Sequence, residues 1–185
     1  MLEDKKKWNE KYSKNPNEET FSPLLEKYIA HANIGKALDI ACGRGANTDF
    51  LHAKGFEIDA VDISDYALSQ IKKSPTINTI SADLDKYYLA PNQYDLIANI
   101  NYLNRRLLPQ IKDALKPGGL LIFETFMLAH GNFKLPTMNL DYLLRKNELL
   151  HSFIGLDIIY YEEKIEINKK GERIKKASLV ARKSA

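Results

Sequence analysis

The chain has 185 residues, of which 44% are hydrophobic and 28% charged, a composition that excludes a disordered or collagen-like protein and fits one globular domain over residues 1–185. Its net charge of +3 is too small to argue for nucleic acid or an anionic membrane surface. The single cysteine, Cys42, rules out an internal disulfide, and no run approaches the ~18 apolar residues of a membrane span, so a soluble, cytoplasmic protein is expected.

Residues 1–21 are polar, and Trp8 and Tyr12 lie four apart, where they share one face of a short helix. Two readings stay open for this segment: a helix docked by its aromatics, or a flap over a ligand. Ser22-Pro23 opens a helix running to Ala32, with the expected cap and first-position proline.

Lys36-Ala-Leu-Asp-Ile-Ala41 is short, apolar on both faces and bounded by Gly35 and Gly43, as expected of a central parallel strand covered by helices. It runs into Gly43-Arg-Gly45, where the absence of Cβ lets a ligand approach the main chain. The helix predicted over Ala46 to Lys54 then points its first free N–H groups at that turn. A second strand, Phe56 to Val61, ends in Asp62. This acid lies 19 positions after Gly43, close to the ~20 that bring a carboxylate to ribose hydroxyls in a βαβ nucleotide fold. Turn and acid together predict a nucleotide-type cofactor site.

Ser64 is the predicted cap of a helix ending near Lys73. Ile77 to Ile80 is a third strand, followed by Asp83 and Leu84. A fourth strand spans Tyr94 to Ile100, and a helical stretch reaches Leu115, irregular at its start because Pro109 cannot sit deep in a helix. Lys116-Pro-Gly-Gly119 reads as a turn and Leu120 to Phe126 as an apolar strand carrying Glu124. The alternation predicts a doubly wound α/β sheet. Leu156 to Ile167 and Glu172 to Arg182 break the rhythm, since a connection as short as Asn168 to Gly171 makes an antiparallel hairpin.

Leu38-Asp-Ile-Ala-Cys-Gly-Arg-Gly45, Val61-Asp62, Ala82-Asp83, Tyr94-Asp-Leu-Ile97 and Leu115-Lys-Pro-Gly-Gly-Leu120 resemble, in order, the successive motifs of class I S-adenosylmethionine-dependent methyltransferases. The resemblance implies a Rossmann-like, mostly parallel sheet of seven strands whose last strand enters antiparallel from the C-terminal hairpin. Within that superfamily, Trp8-Asn-Glu-Lys-Tyr12, Tyr102-Leu-Asn-Arg105 and Glu124-Thr-Phe126 resemble small bacterial tellurite-resistance-type methyltransferases. The implied cofactor is S-adenosyl-L-methionine. Gly43 and Gly45 would lie under its methionine end, Asp39 would orient the turn or meet the ammonium through water, and Asn99 would offer a backbone carbonyl. Asp62 would hold the ribose, Ile63 would cover the adenine, and Asp83 with the Leu84 N–H would read its edge. Trp8 and Tyr12 would close over the bound cofactor. Asp62 and Asp83 also admit a purely structural role as caps of the turns that follow them.

Candidates for the acceptor side are Asn101, Tyr102, Asn104 and Arg105 after the fourth strand, with Thr125 and the 127–146 loop, which carries His130, Phe133, Lys134 and Met138, after the fifth. For His130 the alternative is an exposed loop histidine, and for Arg105 and Arg106 solvent-facing helix charge. Cys42 reads as a packing residue, because no base is placed beside it. Lys169, Lys170, Arg173, Lys175 and Lys176 read as the tip and edge of the hairpin. The expected reaction is in-line methyl transfer to a small molecule, a chalcogen oxyanion or a thiol-type acceptor, with little acid–base help. The alternatives are N-methylation of nucleic acid or protein, a non-catalytic S-adenosylmethionine-binding protein, and a Rossmann oxidoreductase; Thr48, where a third glycine would stand, and the hairpin weigh against the last.

Overall fold

A computed structural model describes residues 2–14, 20–129, 131, 133–136, 139–168 and 170–184; His130, Met138 and Lys169 fall outside it. A seven-stranded sheet in the order β3-β2-β1-β4-β5-β7-β6 organises the chain. Its strands are β1 (Lys36–Ile40), β2 (Glu57–Asp62), β3 (Ile77–Ser81), β4 (Tyr94–Ile100), β5 (Leu115–Phe126), β6 (Asp157–Ile167) and β7 (Arg173–Arg182). The pairs from β3 across to β5 are parallel, while β7 runs antiparallel to both β5 and β6. Helices α1 (Leu2–Lys14), α2 (Pro23–Tyr28), α3 (Ala46–Ala53), α4 (Asp65–Leu68), α5 (Leu107–Ala114) and α6 (Glu148–Ser152) complete the described fold.

The sheet is apolar on both faces because β1, β2 and β4 are covered on both sides. One core gathers Leu38, Ile97, Leu121 and Phe123 with Leu107, Ile111 and Phe153. The other gathers Ala37, Ile58, Leu96 and Ile122 with Leu25 and Leu51. Leu38, Ile58, Leu96 and Leu121 are wholly buried, and each such side chain stabilises the fold by about 1.5–3 kcal/mol relative to exposure.

The elements depart from the sequence reading in four places. The helix expected to reach Ala32 ends at Tyr28 and tightens into a 3₁₀ turn over Ile29–His31. The helix expected to reach Lys73 stops at Leu68, where Gln70 and Ile71 donate three residues back, to Ala67 and Leu68. That tighter winding seats Ile71 against Gly45. Lys116 to Gly119 lies inside β5 rather than before it: Gly118 donates to the Lys183 carbonyl (2.8 Å) and Lys183 to that of Gly119 (2.9 Å), and the β4–β5 register shifts between Tyr94 and Leu96. A Cβ on Gly119 would fall 2.8 Å from the Lys116 carbonyl oxygen and 2.9 Å from that of Tyr94, so the glycine admits a kinked strand instead of a free turn. Finally, the loop after β5 holds a 3₁₀ turn at Leu140–Tyr142 and a parallel bridge from Met127 to Leu144, and it leads into α6. Pro109 sits at the third position of α5, where its missing N–H costs no helical bond.

Candidate active site

β1 ends in a run of left-handed backbone, with φ of 54° at Ala41, 55° at Gly43 and 85° at Gly45. Gly45 is the N-cap of α3, and a Cβ there would come within 2.7 Å of Ile71. Cys42 is buried, and its N–H donates to the Val61 carbonyl at 3.0 Å, tying the turn to β2. Thr48, the residue in the third-glycine position, is fully buried and donates its hydroxyl to Asp39 Oδ2 at 2.7 Å. Asp39 is thus tied to the first turn of α3 by a bond that a glycine at position 48 would not make.

Asp62 stands where β2 meets this turn. Its Oδ2 accepts from the Gly43 N–H and its Oδ1 from the Ser64 N–H, each at 2.9 Å. Burial pushes its carboxyl above the ordinary value, against the opposing pull of the Ser64, Gly43 and Ile63 N–H groups. The turn-capping role is therefore present, and each oxygen keeps further lone-pair capacity for a hydroxyl donor. Ile63 is half-buried beside it. Across the sheet edge the Asp62 carbonyl accepts from Ala82, and Asp83 Oδ1 accepts from the Asp85 N–H at 3.0 Å. Leu84 is buried, and its carbonyl accepts from Arg106 Nη2 (2.7 Å) and Asn104 Nδ2 (3.2 Å).

Helix α1 is anchored to the same edge. Lys5 pairs with Asp65 at 2.6 Å and reaches Ser81, while Asn9 Oδ1 accepts from the Ser64 hydroxyl (2.7 Å) and the Tyr66 N–H (3.1 Å). Arg44, inside the glycine turn, donates to the Tyr12 carbonyl and lies over the Tyr12 ring. Trp8 and Tyr12 are in ring contact at 5.8 Å, both half-buried. Asn9, Lys5 and Arg44 were not singled out as anchors from sequence; the tip of the second strand gives no sign of which residue of a polar helix will meet it.

The strand ends of β4 and β5 form the other half of the edge. Asn99 is buried and donates its amide to the Tyr102 carbonyl at 2.7 Å; Asn101 adopts a φ of 59° while donating its N–H to the Glu124 carbonyl at 2.7 Å. Burial pushes the Tyr102 phenol up to about 12, so it is a neutral hydroxyl at physiological pH. Arg105 makes a two-pronged pair with Glu148 (2.6 and 3.0 Å) and donates to the Asp141 and Leu143 carbonyls. Its guanidinium thus faces the 139–148 segment. Thr125 is buried, and its hydroxyl has no hydrogen-bond partner among the described residues. Phe133 lies under Arg173, and Lys134 is 3.8 Å from Glu172, away from the strand ends of β1 and β2.

A sequence model of the methyltransferase domain matches residues 37–119, the stretch that holds β1, the glycine turn, Asp62, Asp83 and β4. That stretch is similar to a methyltransferase domain. Malonyl-[acyl-carrier protein] O-methyltransferase 2 of Ilyobacter polytropus is 29% identical over 143 residues, 66% of this chain and 55% of that one. The chain spans about half the length of the curated relatives it matches. Among solved structures, TehB from Haemophilus influenzae superposes with a TM-score of 0.76 at 19% identity, over 96% of this chain and 67% of that one. A 1,6-didemethyltoxoflavin-N1-methyltransferase from Burkholderia thailandensis, solved with bound 1,6-didemethyltoxoflavin and S-adenosylhomocysteine, gives a TM-score of 0.65 at 17% identity over 88% of this chain and 77% of that one. The seven-stranded α/β fold is shared with solved structures named as S-adenosylmethionine-dependent methyltransferases. Among the described residues no helix is long and apolar enough to cross a membrane.

Proposed function

We propose that the protein binds S-adenosylmethionine along the edge formed by β1, β2 and β4 and transfers its methyl group to a small soft acceptor, a thiol or a chalcogen species among them. The observation that carries the cofactor assignment is the buried Asp62 carboxylate held against the Gly43 N–H, because it joins the ribose acceptor to the turn that receives the methionine end. Gly43, Gly45 and Asp39 would take the methionine side, and Asn99 a carbonyl contact. Asp62 would take the ribose, Ile63, Asp83 and Leu84 the adenine. Trp8 and Tyr12, held over this edge by Arg44, would shield it from water.

Bound there, S-adenosylmethionine would supply an activated methyl group for in-line transfer. Holding acceptor and methyl in line is the protein's main contribution, worth ~7–11 kcal/mol at best. Tyr102 and Asn101 stand at the strand ends where the acceptor would lie. A neutral phenol donates a hydrogen bond but does not abstract a proton, which supports an acceptor that attacks without a strong base. Arg105 and Arg106 are both committed to protein oxygens, which favours recognition by Tyr102 and neighbouring apolar groups over a guanidinium clamp on an oxyanion.

The test is to incubate the protein with radiolabelled S-adenosylmethionine and cell extract divided into metabolite, protein and nucleic-acid fractions. Label in the metabolite fraction is expected. Label concentrated in protein or nucleic acid would overturn the small-acceptor reading, and none in any fraction would favour a non-catalytic binding protein.

A further inference from the structure

Residues 104–106 send successive side chains in opposite directions, and each grips a segment on one side of the site. Asn104 and Arg106 reach toward the loop after β3. Asn104 Nδ2 donates to the Leu84 carbonyl (3.2 Å) and to Asp85 Oδ1 (2.9 Å), while Arg106 Nη2 donates to the carbonyls of Leu84 (2.7 Å) and Tyr87 (2.5 Å). Asn104 Oδ1 in turn accepts from the Arg106 N–H at 3.0 Å, which fixes the two donors relative to each other. Arg105 reaches the other way. It takes both oxygens of Glu148 and the carbonyls of Asp141 and Leu143, and Glu148 closes the set by accepting from the Arg145 N–H at 2.7 Å.

The backbone that carries these three side chains is rooted in the core by Leu103, Leu107 and Leu108, all buried. A planar guanidinium bonded at two or more points transmits position better than a single flexible contact. The 139–148 segment is itself laid against the acceptor side, since Leu144 donates to the Phe126 carbonyl and accepts from Leu128 at the end of β5.

We propose that Asn104, Arg105 and Arg106 act as a strut that couples the loop at Asp83 and Leu84 to the acceptor-side segment 139–148, so that cofactor binding sets the geometry of the acceptor site. This rests on the assignment of Asp83 and Leu84 to the adenine. The three are positioning residues rather than catalytic ones, which changes the role expected of Arg105 from its sequence alone. Breaking the strut therefore stops a ligand held at 83–87 from ordering 139–148.

Amide hydrogen exchange of the whole chain, with and without S-adenosylhomocysteine, tests the strut. In the parent, the ligand is expected to slow exchange at both 83–87 and 139–148. Arg105→Met should keep the protection at 83–87 and lose it at 139–148. Arg106→Met should weaken S-adenosylhomocysteine binding by roughly fivefold or more, the lower end of typical coupling, and Arg106→Lys should recover part of it. Should Arg105→Met fail to fold, Glu148→Gln removes the ion pair while keeping the shape. Protection at 83–87 alone in the parent, or at both segments in Arg105→Met, would overturn the strut and leave the cofactor reading standing; no protection at 83–87 in the parent would overturn both.

Discussion

Asp62 caps the glycine turn and is the proposed ribose acceptor. Its oxygens already hold the Gly43 and Ser64 N–H groups, so Asp62→Ala leaves buried donors unpaired as well as removing the proposed ribose acceptor. We expect a stability loss of about 1–3 kcal/mol by urea denaturation and a fall of about tenfold or more in S-adenosylhomocysteine affinity by calorimetry. Undiminished affinity in the folded variant would refute the ribose assignment. Tyr102 gives a second prediction at this scale. With its phenol at about 12, Tyr102→Phe should lower the methyl-transfer rate without changing the shape of its pH profile between about 6 and 9; a limb that disappears with the hydroxyl would make Tyr102 a base. The sequence shows where such residues stand along the strands but not whom they meet. Thr48 was legible as a missing glycine, while its bond to Asp39 depends on the facing of β1 and α3. Arg105 was legible as a charge at a strand end, and its partner Glu148 lies 43 residues on, beyond any local pattern.

Elements were legible where hydrophobic period and length agreed, as in β1, β2, β4 and the terminal hairpin. They were misjudged where tertiary contact overrode local preference: Ile71 leaves the helix after Ser64 to fill the space beside Gly45, and Lys116 to Gly119 becomes strand because Lys183 pairs with it. Helix α1 has no buried residue among residues 3–14, so it draws its place from the polar bonds to Ser64, Asp65 and Arg44. Deleting residues 1–19 is expected to leave the sheet folded, by circular dichroism, while weakening S-adenosylhomocysteine binding. In the full chain Trp8, the sole tryptophan, should shift its emission and lose quencher access as ligand saturates; an unchanged spectrum would remove α1 from the site. The β5–β7–β6 end of the sheet titrates. Burial alone would raise the Glu124 carboxyl, but Lys176, Ser178 and Lys164 outweigh it and hold it below the ordinary 4.5. A depressed carboxyl contributes stability that is complete above its unfolded value and fades as pH falls through its folded one. Stability should therefore decline as pH drops below about 4.5, and Glu124→Gln should be less stable at neutral pH with a flatter decline in acid, read by denaturant midpoints across pH.

At the scale of the molecule, the two apolar cores lie on opposite faces of the same seven strands, so neither can melt without exposing the sheet that supports the other. Unfolding should be one transition, with far-ultraviolet dichroism and tyrosine fluorescence coincident. The edge proposed for the cofactor is assembled from β1, β2, β4 and the loop after β3, and a ligand seated there binds only the folded chain. S-adenosylhomocysteine at about 100 times its dissociation constant should then add about 2.7 kcal/mol to the unfolding free energy and raise the melting temperature of the whole transition. NADH should raise it not at all, because Thr48 fills the place of the glycine that brings helix and pyrophosphate together in dinucleotide folds. The two ligands in one thermal-shift series separate methyl transfer from hydride transfer without knowledge of the acceptor. A shift with NADH and none with S-adenosylhomocysteine would reverse the assignment of the glycine turn, and a split transition would mean that the β6–β7 hairpin end folds apart from the cofactor edge.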